Sequence, residues 1–344
     1  MDLNQASATY LPLIEAEMRE VLAIPQDAAA GHYQIMQYHM GWLDAALESA
    51  VAPAGKRIRP LLCLLACAAA GGDPVAALPA AAGLELLHNF SLLHDDIEDN
   101  SPLRRHRPTA WTIFGMPITC NAGDGMFSLA HTAFYRLEER GVQPATVLAA
   151  LRRFDEMCVA LTEGQFLDMS FERRLSVIPD DYFRMIAGKT GALLAVAPEI
   201  GALVAGAAPA TVAAYRRYGA ALGVAFQLQD DVLGIWGDEA ATGKSAASDI
   251  LSKKKTLPVI YALAHEVAGA KLAALYAGAD FTAADVPVVL AYLAEAGARP
   301  YVEALVRAAT AEAHAALRAV APSAVPEPHR LLGELLDALV VRSH

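Results

Sequence analysis

One stretch constrains this chain more than any other: an apolar helical pattern that runs straight into a cluster of carboxylates. In Glu85-Leu-Leu-His88-Asn-Phe90-Ser91-Leu-Leu-His94-Asp95-Asp96-Ile-Glu-Asp99, the positions Leu84, Leu87, Ser91 and Asp95 share one line, and Asp95, Asp96 and Asp99 stand at i, i+1 and i+4. Three carboxylates therefore converge on the C-terminal end of one helix. That end already carries about half a negative charge, and each acidic group near it costs about 0.3 to 1 kcal/mol. A positive partner is required. Either the basic run Arg104-Arg105-His106-Arg107 supplies it, or hard divalent cations do, which take oxygen ligands and are commonly shared with substrate phosphates.

A second stretch repeats the logic. Ala225-Phe226-Gln227-Leu-Gln-Asp230-Asp231-Val-Leu-Gly234-Ile-Trp236-Gly-Asp238 again sets paired carboxylates at the end of an apolar helical segment, followed by Lys244, Lys253, Lys254 and Lys255. One such pair alone reads as an exposed acidic helix end. Two, each trailed by cations and facing each other across a helical bundle, would bracket a pocket where several Mg2+ ions hold one diphosphate.

The hydrophobic share of 55% is inflated by alanine, and apolar residues recur at three and four rather than at two. An all-α fold follows, with one domain over residues 1–344, since no linker interrupts the pattern. The expected architecture is a bundle of long helices around a central apolar cavity. Helices are expected over residues 8–24, 31–51 and 146–170, with a last one from Arg330. A formal charge of −11 argues against nucleic acid as a partner. Cys63, Cys67, Cys120 and Cys158 lie in apolar surroundings without a CxxC pair, as reduced core residues do, and the N-terminus lacks signal-peptide order. Both point to the cytoplasm. No transmembrane segment is expected, because the most apolar window, 191–214, contains Pro198 and Glu199 and reads as a buried helix-turn-helix.

Gly55-Lys56-Arg57-Ile58-Arg59-Pro60 places three cations at the start of an apolar helix, which suits either a diphosphate site or a solvated basic turn. Lys189-Thr190-Gly191 puts a lysine in an apolar region, where it needs an anion or a route to water. The forked donors of Arg104 and Arg105 suit phosphate oxygens.

These motifs, in this order, resemble the trans-prenyltransferases (polyprenyl diphosphate synthases), with matching segments from Gly55 to Pro258. The resemblance implies an isoprenoid-synthase fold, a homodimer, and condensation of isopentenyl diphosphate with an allylic diphosphate. It also implies three Mg2+ ions held by Asp95, Asp96, Asp99, Asp230 and Asp231. It assigns Gly55, Lys56, Arg59, His88 and Arg105 to isopentenyl diphosphate, and Arg104, Lys189, Thr190, Gln227, Lys244 and Lys254 to the allylic substrate and its diphosphate. Asp168 falls in a stretch that lines the family's cavity. Phe90 and Ser91, five and four residues before the first aspartate, occupy the places that set product length, in an arrangement like that of some geranylgeranyl diphosphate synthases.

Two departures stand out. Gly234 takes the place of the usual third aspartate of the second motif, leaving Asp238 acting through water, or two carboxylates alone, to complete the metal site. Lys253 takes the place of a usual glycine. Besides the leading reading of a short-chain synthase making geranylgeranyl or farnesyl diphosphate, two others remain. A class I terpene cyclase needs no isopentenyl site, against which Lys56, Arg59, His88 and Arg105 argue. A non-catalytic subunit would lack the first aspartate motif, which is intact.

Overall fold

The computed structural model describes residues 1–53, 55–172, 174, 176–237, 247–278, 281–320 and 324–340. Among them the fold is all-α apart from one two-stranded hairpin, as the three-to-four periodicity predicts. Asp2 starts the first helix early: its carboxylate accepts from the Gln5 N–H at 2.8 Å and Gln5 Oε1 accepts from the Asp2 N–H at 2.8 Å. Helix α1 is therefore Leu3–Val21. Helix α2 is Ala30–Met40 and stops well short of residue 51, because Gly41 caps it in the left-handed region at φ +85°. The following residues instead form a turn around Asp44, closed by a bridge between Leu43 and Ser49.

The residues group into two compact units. The first comprises 1–154, 197–212 and 323–332. Beyond α1 and α2 it contains α3 (Ile58–Ala69), α4 (Leu78–Glu98), α5 (Ala110–Phe114) and α6 (Met116–Tyr135). Helix α4 packs most extensively on α6 and also on α3 and α1. Its Leu84, Leu86, Leu87 and Leu93 are fully or almost fully buried, each worth roughly 1.5–3 kcal/mol. That packing fixes the end of α4, and with it the carboxylates. Strands β1 (Leu103–Arg104) and β2 (Arg107–Pro108) pair through a tight turn whose central residues Arg105 and His106 are both left-handed, at φ +52° and +64°.

The second unit comprises 155–196, 213–322 and 333–344. The remaining helices, in chain order, are α7 (Pro144–Glu172), α8 (Pro179–Ile186), α9 (Ala192–Val204), α10 (Pro209–Trp236), α11 (Ser248–Leu251), α12 (Leu257–Leu263), α13 (Ala268–Ala277), α14 (Val286–Glu295), α15 (Ala298–Val320) and α16 (Pro326–Val340). A π-helical turn, Ala187–Gly191, joins α8 to α9 and carries the Lys189-Thr190 pair. Such wide turns recur at functional sites. The last helix begins at Pro326, a proline at the helix start, four residues before the expected Arg330.

Two helical stretches, Pro74–Glu98 and Pro179–Val204, are long and apolar enough to cross a bilayer, but 72% of the apolar window of each is buried within the protein. All four cysteines are unpaired.

Candidate active site

In the first unit, the turn before α3 and the β1–β2 hairpin assemble a cluster of guanidinium groups. Arg57 turns inward: it is buried, and its guanidinium donates to Glu85 Oε1 at 2.8 Å and approaches Glu15 Oε2 at 3.5 Å. Arg59 and Arg105 differ, since among the described residues no salt bridge reaches either of them. Gly55 lies against Arg105. It is left-handed at φ +82°, a backbone conformation that strains any side chain, and the Arg105 guanidinium lies close against it. Burial, and the like charge of Arg105, hold Arg59 below the usual arginine range, against a smaller opposing pull from Glu85. Burial and Arg57 do the same to Arg105.

His88 joins this cluster as a neutral ring. Burial drives its pKa well below the ordinary value, and the charges of Arg59, Arg105 and Arg104 push the same way. His39 of α2 is held down to about 3 by burial and by Arg104, Arg105, Arg57 and Arg107. No local pattern marks it, because the arginines around it come from remote segments. Gly55, Arg59, His88 and Arg105 thus lie in one neighbourhood. Two guanidinium groups that no salt bridge reaches among the described residues, beside a neutral imidazole, are a donor set that suits a compact polyanion. Lys56 is exposed at its edge.

The first aspartate motif divides in two. Asp95 is half-buried and Asp99, which ends α4, is exposed one turn further along the same line. Asp96 points inward. It is 1% exposed, and its Oδ1 accepts from Arg104 Nε at 2.7 Å. Burial raises its carboxyl above the usual range while Arg104 opposes the shift. Asp95 and Asp99 thus share one line of α4, the kind of oxygen pair that suits a hard divalent ion, whereas Asp96 is paired with Arg104. Phe90, on the line of His94, heads a row of rings: Phe127 at 5.0 Å, then His131, Phe154 and Phe134 at successive centroid separations of 4.7, 4.9 and 4.6 Å. Ser91 shares the Asp95 line and donates to the His88 carbonyl at 2.8 Å.

In the second unit, Lys189 Nζ donates to Asp168 Oδ2 at 2.6 Å. Thr190 Oγ1 donates to Gln227 Oε1 at 2.7 Å, and Gln227 Nε2 donates to Asp231 Oδ1 at 3.0 Å. The other oxygen of Asp231 accepts from the Tyr182 hydroxyl at 2.6 Å and from the Leu257 N–H at 2.9 Å. Asp231 is 2% exposed, and burial raises its carboxyl, with these hydrogen bonds opposing. Both of its oxygens are thus committed to protein donors, while its neighbour Asp230 is half-buried on the adjacent position of α10. Lys254 lies close enough to favour the ionised Asp231. Lys244 and Asp238 lie outside the described residues.

Lys253 adopts φ +54°, the conformation that the family's usual glycine would take without strain, and Nζ anchors it by donating to the Tyr276 and Gly278 carbonyls, each at 2.9 Å. Lys253→Gly and Lys253→Ala both remove that anchor and differ mainly in the cost of left-handed backbone. The glycine variant should be the more stable by about 1 kcal/mol in chemical denaturation. Equal stabilities would show that the backbone relaxes freely there.

The sequence profile of the family described as polyprenyl synthetase matches residues 40–293. The chain is 46% identical over 241 residues to a (2E,6E)-farnesyl diphosphate synthase of Mycobacterium bovis, a match covering 70% of this chain and 66% of that relative's length. It is 42% identical over 293 residues to a geranylgeranyl diphosphate synthase of Mycobacterium tuberculosis, covering 85% and 81% of the two chains. Its fold superimposes on the crystal structure of a polyprenyl synthetase from Streptomyces coelicolor with a TM-score of 0.90, at 34% identity, over 99% of this chain and 100% of the other. With the aspartate motifs, the guanidinium cluster and the π-turn lysine in place, these matches establish that the chain belongs to the polyprenyl synthetase family of trans-prenyltransferases.

Proposed function

We propose that the protein condenses isopentenyl diphosphate with an allylic diphosphate to give a short-chain all-trans prenyl diphosphate, geranylgeranyl diphosphate being the leading product. The observation that carries this reading is the pair of half-buried guanidinium groups, Arg59 and Arg105, gathered with His88 near Gly55 and reached by no salt bridge among the described residues. A terpene cyclase acting on a single diphosphate has no use for that second anion site, and a non-catalytic subunit no use for an intact first motif.

In this reading isopentenyl diphosphate lies on Gly55, Lys56, Arg59, His88 and Arg105. Asp95, Asp99 and Asp230 would hold Mg2+, whose charge would neutralise the departing pyrophosphate. Asp96 and Asp231 act one step back, orienting Arg104 and Gln227. Arg104, Lys189 and Lys254 add positive charge toward the leaving group. The allylic carbon–oxygen bond breaks and its electron pair leaves with pyrophosphate. The double bond of isopentenyl diphosphate then attacks the allylic cation, and the proton lost from the new chain passes to the released pyrophosphate. No side-chain nucleophile takes part. The apolar surroundings keep water from the cation. A homodimer belongs to the same proposal, with the exposed Met116, Ile118 and Tyr135 of α6 as candidate surface.

The test is to supply purified protein with Mg2+, labelled isopentenyl diphosphate and each allylic primer in turn, then to separate the dephosphorylated products by length. A discrete prenyl alcohol is expected. Unused isopentenyl diphosphate alongside hydrocarbon formed from a long prenyl diphosphate would overturn the reading in favour of a cyclase. Phe90→Ala is expected to lengthen the product by opening the row of rings at its head, and an unchanged product distribution would remove Phe90 from that role.

A further inference from the structure

Outside the aspartate motifs, another group of metal-ligating side chains lies between α4 and α6. Cys120 and Asp124 stand four residues apart on one face of α6, and His94 meets them from α4, the helix packed most extensively against it. One ligand atom of each residue, an imidazole nitrogen, the thiol sulfur and a carboxylate oxygen, lies within 4.8 Å of the other two. A plain histidine–carboxylate pair does not account for the group. His94 Nε2 stands 3.5 Å from Asp124 Oδ1, beyond the roughly 2.7–3.2 Å of an ordinary N–H···O bond, and such a pair gives the thiol nothing to do. The imidazole is braced on one side by the Phe90 ring, with centroids 4.7 Å apart, and Nε2 lies 3.3 Å from the Cys120 carbonyl. Cys120 is half-buried and Asp124 is exposed, so both keep room to turn.

We propose that His94, Cys120 and Asp124 form a binding site for a transition-metal ion of the zinc class, separate from the Mg2+ carboxylates. A thiolate beside an imidazole selects Zn2+ or Co2+ over Mg2+, which takes oxygen ligands. Three protein ligands leave the fourth tetrahedral position to water. Ligand atoms around tetrahedral zinc stand about 3.3–3.8 Å apart, so the widest gap here closes by about 1 Å as the side chains turn. On binding, the Cys120 thiol releases its proton to solvent, and the His94 proton sits on the ring nitrogen that faces away from the ion. The ion then ties the last turns of α4 to α6, beside Asp95. None of the three residues is assigned to diphosphate or Mg2+, so this site stands or falls apart from the prenyltransferase reading.

The test titrates full-length protein, stripped of metal with a chelator and kept reduced with a phosphine, with Co2+ as an optical stand-in for Zn2+. Thiolate bound to Co2+ gives a charge-transfer band in the near ultraviolet, which the oxygen ligands of the aspartate motifs cannot give. Wild type should show this band, saturating at one Co2+ per chain, and Zn2+ should abolish it while excess Mg2+ does not. Cys120→Ser should lose the band and Cys158→Ser should keep it. His94→Gln and Asp124→Asn should each weaken Co2+ binding by about tenfold or more, no less than the loss of a residue that merely supports a metal ligand. Asp124 is exposed, so Asp124→Asn decides the matter even if the changes at the packed positions prevent folding. No band in wild type, a band that survives Cys120→Ser, or wild-type affinity in Asp124→Asn would overturn the proposal.

Discussion

Asp95→Asn and Asp99→Asn should each lower the condensation rate by about 10²- to 10³-fold, the usual effect of removing one charge aimed at a developing leaving group. They share one line at the end of α4 and stand one turn apart, so loss of either leaves a single carboxylate where two are offered. The apparent Mg2+ requirement should rise with the fall in rate. Asp96→Asn should behave differently, since that carboxylate is buried and bonded to Arg104. Its expected effect is an increase of about tenfold in KM for the allylic substrate, as expected when a supporting side chain is lost, with the Mg2+ requirement unchanged. Steady-state kinetics at varied Mg2+ separates the two patterns. If Asp96→Asn raised the Mg2+ requirement as much as Asp95→Asn, the division of the motif would be wrong.

Arg57→Met should destabilise the protein by about 3 to 5 kcal/mol, the cost of leaving one member of a buried ion pair alone. Arg57 and Glu85 are 6% and 2% exposed and 2.8 Å apart, and Glu85 Oε2 has no hydrogen-bond partner. Asn89 Nδ2, at 3.2 Å, would be the remaining donor to the stranded carboxylate. Replacing both members with apolar residues, as in Arg57→Met with Glu85→Leu, should cost much less than the sum of the single changes. Urea denaturation of the four proteins measures this coupling. Additive losses would show that the pair is solvated enough to act as two independent charges.

The carboxylate-bearing end of α4 is legible in the sequence because everything that defines it is local: apolar residues at three and four, then aspartates on the same line. Helix α3 and its basic entry are legible for the same reason. Residues 41–51 are not helical because Gly41 ends α2, a glycine stop that lies inside the expected helix. What could not be read locally are the roles settled by residues far along the chain. Asp231 looks like Asp230 until Tyr182 and Leu257, 49 and 26 positions away, occupy one of its oxygens. His39 acquires its character from burial and from arginines of the α3 entry and the hairpin.

The crowding of Arg57, Arg59, Arg104 and Arg105 around two neutral histidines has a thermodynamic consequence. Like charges held together are a standing cost of the fold, and any polyanion that settles among them lowers that cost while binding only the folded form. Substrate supply and protein lifetime are thereby coupled: ligand at about 100 times its dissociation constant adds about 2.7 kcal/mol to folding stability. A chain built this way is most open to unfolding and proteolysis when its diphosphate substrates run short, so its abundance can track the flux it serves without any separate regulator.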